Sequence, residues 1–222
     1  MNPAHRIDGL GAPLPIANLD TDQIMPKQFL TGIDKTGLDR GLLYDLRYDS
    51  AGQSRSDCVL NRADYAGTSV LVAGANFGCG SSREHAVWGL QQFGIRAIIA
   101  PSFAEIFFSN AMNNGLMLVT LPDAVVQQLL ADAANPATRA IAIDVRDLSV
   151  QSHSQRAAFT LSPRYQRMFL EGQDVIGATL ALQDQIQDFA ERHWTQQPWL
   201  RDVAASSVAR LERRPWKIHP RP

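Results

Sequence analysis

The sequence predicts an α/β domain with a mixed sheet flanked by helices, and three observations carry that expectation. Short apolar runs rich in β-branched residues alternate with segments of helical period between Ser69 and Ala134. Pro101 and Gly115 punctuate the alternation where elements must end. Two further apolar runs then flank a polar stretch containing His153, which reads as a hairpin added to the sheet.

In chain order, Leu14–Ala17 is a short extended apolar piece, followed by the polar run Asn18–Gln23 and then Ile24–Leu30. Residues 31–60 have little periodicity and much Gly, Asp and Arg, so a long irregular excursion with short helical pieces is expected, mobile around Thr31–Gly41. Ser69–Ala73 suits a strand buried on both faces. A helix is expected from Ser81, because S-S-R-E fits a capping box and Ala86, Val87, Leu90 and Phe93 recur at helical spacing. Arg96–Ala100 and Leu116–Leu121 read as strands. Between and after them, Ser102–Asn113 and Pro122–Ala134 read as helices, the first with a capping box of Ser102 and Glu105. Ala140–Val145 and Ala157–Leu161 form the hairpin strands, and Pro163–Leu170 and Ile186–Trp194 the last helices. The expected division is one domain over residues 1–198 and a basic tail over 199–222 that carries Arg210, Arg213, Arg214, Lys217 and Arg221 against Glu212. Termini are rarely ordered unless tied down, and no basic face or nucleic-acid motif accompanies this tail, so a docking or solvated role is expected.

The chemistry concentrates between Gly74 and Glu84. Gly74, Gly78 and Gly80 admit backbone conformations that a Cβ forbids and let a ligand approach backbone N–H groups. Glycines, an expected helix start and Arg83 make an anion site. The Walker spacing is absent, since Gly80 is followed by Ser81 and Ser82 with no lysine. The dinucleotide fingerprint also fails, because Arg83 stands where its third glycine would be. A small carboxylate is the better ligand. Arg83 would hold it, and Ser81 in the same positive field suits a base for proton abstraction next to a carboxylate. A serine-nucleophile triad is not favoured, since His85 lies one helical turn further on. Asp20, Thr21 and Asp22 read as turn and cap formers whose carboxylates orient neighbouring cations or N–H groups, without the further ligands of a calcium loop.

Composition bounds the function. The 222 residues, 45% hydrophobic and 19% charged with a net charge of −1, are those of a globular domain without the basic surplus expected of a nucleic-acid binder. No apolar run reaches membrane-helix length and MNPAHRIDGL lacks a signal-peptide core, so a cytoplasmic location is expected. Cys58 and Cys79 form no C-x-x-C, so neither a zinc site nor an iron–sulfur site can be built from the thiolates of this chain. Cys79 is read as a small packed residue rather than a reactive thiol.

Three stretches, NLDTDQIMPKQFL (Asn18–Leu30), NFGCGSSREHA (Asn76–Ala86) and PSFAEIF..N..NNGL (Pro101–Leu116), resemble the small subunit of 3-isopropylmalate dehydratase in the aconitase superfamily. The resemblance runs from about Leu14 to Ala190. It implies a swivelling β/β/α domain like the last domain of aconitase, working with a separate large subunit that carries a [4Fe–4S] cluster. It implies Ser81 as base, with Ser82 and Arg83 binding the substituted malate. Lys27, Leu30 and Thr31 match the specificity loop, and Asn76, Gly78, Gly80, Glu84 and His85 support the turn. Arg164, Tyr165 and Gln166 depart from the family's basic pair, and the tail is long. A paralogue acting on another substituted malate and a stand-alone dicarboxylate-binding domain are the alternative readings.

Overall fold

The computed structural model describes residues 3–30 and 35–212. The first strand, β1 (Arg6–Leu14), leads through the short helix α1 (Thr21–Ile24) and the excursion containing α2 (Tyr44–Arg47) to β2 (Thr68–Ala73). Then follow α3 (His85–Phe93), β3 (Ala97–Ala100), α4 (Glu105–Asn114), β4 (Met117–Thr120) and α5 (Asp123–Ala134). The strands β5 (Ala140–Asp144), β6 (Ser149–Gln151) and β7 (Arg156–Ala158) precede α6 (Pro163–Glu171). The remaining helices are α7 (Val175–Leu180), α8 (Gln183–Gln196) and α9 (Val203–Glu212). The chain forms two compact units, Met1–Val175 and Ile176–Pro222. No described helix is long and apolar enough to cross a membrane.

The seven strands form one sheet in the order β4-β3-β2-β1-β5-β6-β7. The four on the β4 side run parallel, whereas β1–β5, β5–β6 and β6–β7 pair antiparallel. The predicted fold class therefore holds, with the mixed character arising at β1. Val70–Ala73 and Ala97–Ala100 are buried at every position. A strand can be apolar throughout only where both faces of the sheet are covered. The helix α5 packs on β1, β2 and β3, while α3 packs on α4 and on the 3₁₀ turn Leu38–Gly41.

Most predicted elements lie where expected, with informative shifts, but the hairpin expected between Ala140–Val145 and Ala157–Leu161 is divided by β6, which pairs with β5 on one side and β7 on the other. The strand β1 ends at Leu14, where the extended piece was expected to begin. Its Gly9, Gly11 and Pro13 dilute the β signal, and pairing with β2 on one side and β5 on the other fixes it as strand. Both predicted capping boxes are absent: α3 starts at His85 and α4 at Glu105, neither with a side-chain cap. The Ser102 hydroxyl instead accepts from the Asn76 N–H at 2.9 Å, and the Glu84 carboxylate accepts from Asn114 Nδ2 at 2.9 Å, so both capping groups have tertiary partners. The excursion before β2 is held by Arg47, which donates to Asn61 Oδ1 at 3.1 Å and to the Leu42 carbonyl at 3.2 Å. Part of the expected tail is helical as α9, while Arg213, Arg214, Lys217 and Arg221 lie outside the described residues.

The β6–β7 hairpin is tied to α5 by Asp132, which is buried. Its Oδ2 accepts from Ser152 Oγ at 2.6 Å, Ser154 N at 2.9 Å and Ser154 Oγ at 2.8 Å. Burial pushes the carboxyl upward, but these hydrogen bonds, with His153 nearby, outweigh it and hold the group below its ordinary value. A carboxyl depressed in the fold stabilises it above the unfolded-state value, and that contribution is lost as pH falls through the folded one. Asp132→Asn should therefore cost about 1–3 kcal/mol in denaturant unfolding at pH 7. The gap from the parent should narrow below about pH 4; an unchanged gap at pH 3 would assign the loss to packing instead.

Candidate active site

The loops that follow β1 and β2 meet at the carboxyl ends of these parallel strands, where ligands bind in open α/β sheets. Leu19 O accepts from Gly78 N at 2.8 Å, Cys79 O accepts from Thr21 N at 2.8 Å, and Asp20 forms an isolated parallel bridge with Cys79. The two loops thus behave as a short extension of the β1–β2 pair. Gly78 and Gly80 make the approach possible, with φ of +79° and +98°. A Cβ on Gly78 would strike the Phe107 ring, and one on Gly80 would lie 3.2 Å from Asp20 Cβ.

From this junction Ser81 emerges half-buried, and its Oγ lies 2.8 Å from the Thr21 hydroxyl. Asp20 caps α1 through Gln23 N at 2.7 Å, and Gln23 Oε1 accepts from Asp20 N at 3.1 Å, so the capping box belongs to α1. Asp22 on the same turn forms an ion pair through Oδ1 with Arg83 Nη1, and its Oδ2 lies 3.8 Å from Lys27 Nζ. The Arg83 side chain is 27% exposed, whereas Lys27 is 74% exposed. Arg83 is therefore the oriented cation and Lys27 a solvated one. One Nη of Arg83 is committed to Asp22, which aims the guanidinium and leaves its other donors for a ligand carboxylate.

The residues 82–84 are braced from α4. Asn110 Nδ2 donates to the Ser82 carbonyl at 3.1 Å. Asn114 donates to Glu84 as described and also accepts from Trp88 Nε1 at 3.0 Å. On the other side, Asn76 Nδ2 donates to Asn18 Oδ1 at 2.9 Å and Cys79 Sγ donates to Asn18 O at 3.3 Å. Asn18, Asn110 and Asn114 are the supports that motif reading left without a role, and Ser102, expected as a helix cap, serves here instead. Asparagines at positions 110 and 114 of a helix, where they are poor formers, were the available signal.

The structure thus brings together Asp20, Thr21, Asp22, Lys27, Asn76, Gly78, Gly80, Ser81, Ser82, Arg83 and Glu84. His85 starts α3 against the Trp88 ring at 4.8 Å, so the hydroxyl that meets Ser81 is Thr21 and not an imidazole. Leu30 is half-buried at the end of the 3₁₀ turn Lys27–Phe29, and Thr31 lies outside the described residues. Among the described residues no group of three or more His, Cys, Asp or Glu could hold a metal ion, and both cysteines are free.

Residues 1–124 match the aconitase C-terminal domain. The chain is 63% identical over 206 residues to 3-isopropylmalate dehydratase small subunit 1 of Chromobacterium violaceum, covering 93% of this chain and 97% of that protein. This chain belongs to the 3-isopropylmalate dehydratase small-subunit family. The corresponding protein of Mannheimia succiniciproducens is 45% identical, over 88% of this chain and 96% of its own length. A solved structure of 3-isopropylmalate dehydratase from Methanocaldococcus jannaschii superposes with a TM-score of 0.58 at 27% identity, covering 83% of this chain and 99% of that one.

In this small subunit the asparagine braces predict a local effect. Asn110→Ala combined with Asn114→Ala should raise amide hydrogen exchange at Val87 and Trp88, whose N–H groups both donate to Glu84 O, roughly fivefold for each ~1 kcal/mol of local stability lost. The global unfolding midpoint should fall by only a few degrees. Unchanged exchange would remove α4 from the support of the site.

Proposed function

We propose that this chain is the proton-abstracting half of a two-subunit hydro-lyase that interconverts 2-isopropylmalate and 3-isopropylmalate in leucine biosynthesis, by dehydration and rehydration. The observation that carries the reading is Ser81 held on the Thr21 hydroxyl beside an Arg83 that Asp22 orients, in a family whose relatives bear the name of that enzyme's small subunit. Arg83 binds a substrate carboxylate with the donors it does not spend on Asp22. Ser82, exposed on the same loop, adds a hydroxyl to the bound malate.

Ser81 takes the proton. In the dehydration direction the carbon–hydrogen bond breaks, its proton passes to Ser81 Oγ, the electron pair becomes a carbon–carbon double bond, and the hydroxyl leaves the neighbouring carbon. Serine is a weak base in water, so the step needs the positive field of Arg83 and the exclusion of solvent to favour the oxyanion. We assign the Lewis-acid chemistry that draws off the hydroxyl to a [4Fe–4S] cluster on the large subunit, and no residue of this chain is asked to hold it. Lys27, Leu30 and Thr31 are assigned to the loop that meets the substrate, with Leu30 facing its alkyl group. The complex is placed in the cytoplasm.

In the assembled complex, Ser81→Ala should lower kcat by about 10²–10⁴-fold while leaving subunit association intact. Arg83→Lys should raise KM by at least about tenfold, because an ammonium cannot reproduce the bidentate geometry. Isolated chain should bind isopropylmalate weakly in calorimetry. Full activity of Ser81→Ala would overturn the role of the base, and tight binding by the isolated chain would favour a stand-alone dicarboxylate-binding domain.

A further inference from the structure

We propose that Thr21 is a positioning residue whose hydroxyl donates to Ser81 Oγ and stabilises it when it is deprotonated, so that two hydroxyls from separate loops act as one basic unit. The inference rests on the reading of Ser81 as the base. Thr21 is 1% exposed, one of the few buried polar residues among the described ones, and the hydrogen bond it makes with its side chain is the one to Ser81, at 2.8 Å. A hydroxyl shut away from water directs its proton to the acceptor it has. Once Ser81 has lost its own proton, Thr21 must be the donor, and a hydrogen bond to an oxyanion is stronger than one between neutral hydroxyls. The proton balance closes over one turnover: Ser81 enters as the oxyanion, its own proton having passed to solvent before substrate binds, gains one from substrate on dehydration and returns one on rehydration, while Thr21 keeps its hydrogen throughout.

The geometry is fixed on both sides. Thr21 N is held by Cys79 O, and Thr21 O accepts from Met25 N as α1 closes, so the backbone beneath the hydroxyl is constrained at each end. Its β-branched side chain has few rotamers to choose from. Ser81 follows Gly80, whose own approach to Asp20 and Thr21 is set by a positive φ. A half-buried serine on a loop would otherwise sample several rotamers. Thr21 selects one and leaves the remaining lone pairs of Ser81 toward the open side of the site.

The test is a double-mutant cycle on the full chain assembled with its large subunit. Thr21→Val, which keeps the shape and removes the hydroxyl, should lower kcat about 10- to 100-fold, with KM within about twofold of the parent. Thr21→Ser should restore most of the rate. In the Ser81→Ala background, Thr21→Val should have no further effect, because its hydroxyl acts only through Ser81. Thermal unfolding and subunit association should match the parent within error for both single variants. An unchanged kcat in Thr21→Val, an equal loss in Thr21→Ser, a further loss in the Ser81→Ala background, or a rate loss that tracks a lowered unfolding midpoint would each overturn the proposal. Full activity of Ser81→Ala alone would instead remove the base on which it rests, and the two failures are read from different corners of the cycle.

Discussion

Everything at the site depends on the backbone contact between residues 19–21 and 78–80. The Gly78 N–H bonded to Leu19 O and the Thr21 N–H bonded to Cys79 O join loops separated by nearly sixty residues of chain. They prolong the parallel pairing of β1 and β2 beyond the edge of the sheet. Positions 78 and 80 take positive φ at this contact, where a Cβ at 78 would strike the Phe107 ring and one at 80 would crowd Asp20. Without this contact, Asp22 would not face Arg83, and Thr21 would not meet Ser81. A rigid sheet is thereby made to position polar groups that are carried on loops.

The electrostatics follow from that placement. One carboxylate, Asp22, stands between two cations, and the more buried of them, Arg83, receives the closer contact. Asp22 thus orients charge and does not simply cancel it, and the guanidinium it aims is what a substrate carboxylate and a developing oxyanion both need. The braces from α4 serve the same end mechanically, since Asn110 and Asn114 fix the backbone and the carboxylate on either side of Arg83.

The sequence made the parallel half of the sheet readable because strands buried on both faces leave an unbroken apolar run, as in Val70–Ala73. It concealed β1, whose glycines and proline are tolerated because neighbours on both sides supply the pairing. The serine–arginine turn stood out as a site through its glycines, yet the inferred helix start at Ser81 was misplaced by four residues. The S-x-x-E pattern is local, whereas Glu84 is claimed by Asn114 from another helix. The Thr21–Ser81 hydrogen bond could not be read at all, because nothing in the spacing of the two motifs reveals that their loops touch. Motifs named the participants, and the tertiary contact assigned their partners.

The most direct test of the central claim is a structure of the two-subunit complex with 3-isopropylmalate bound. Ser81 Oγ should lie about 3–3.5 Å from the carbon that gives up its proton, with Thr21 Oγ1 still on its far side and Arg83 on a substrate carboxylate. A Ser81 Oγ turned away from that carbon, with another side chain in its place, would contradict the account.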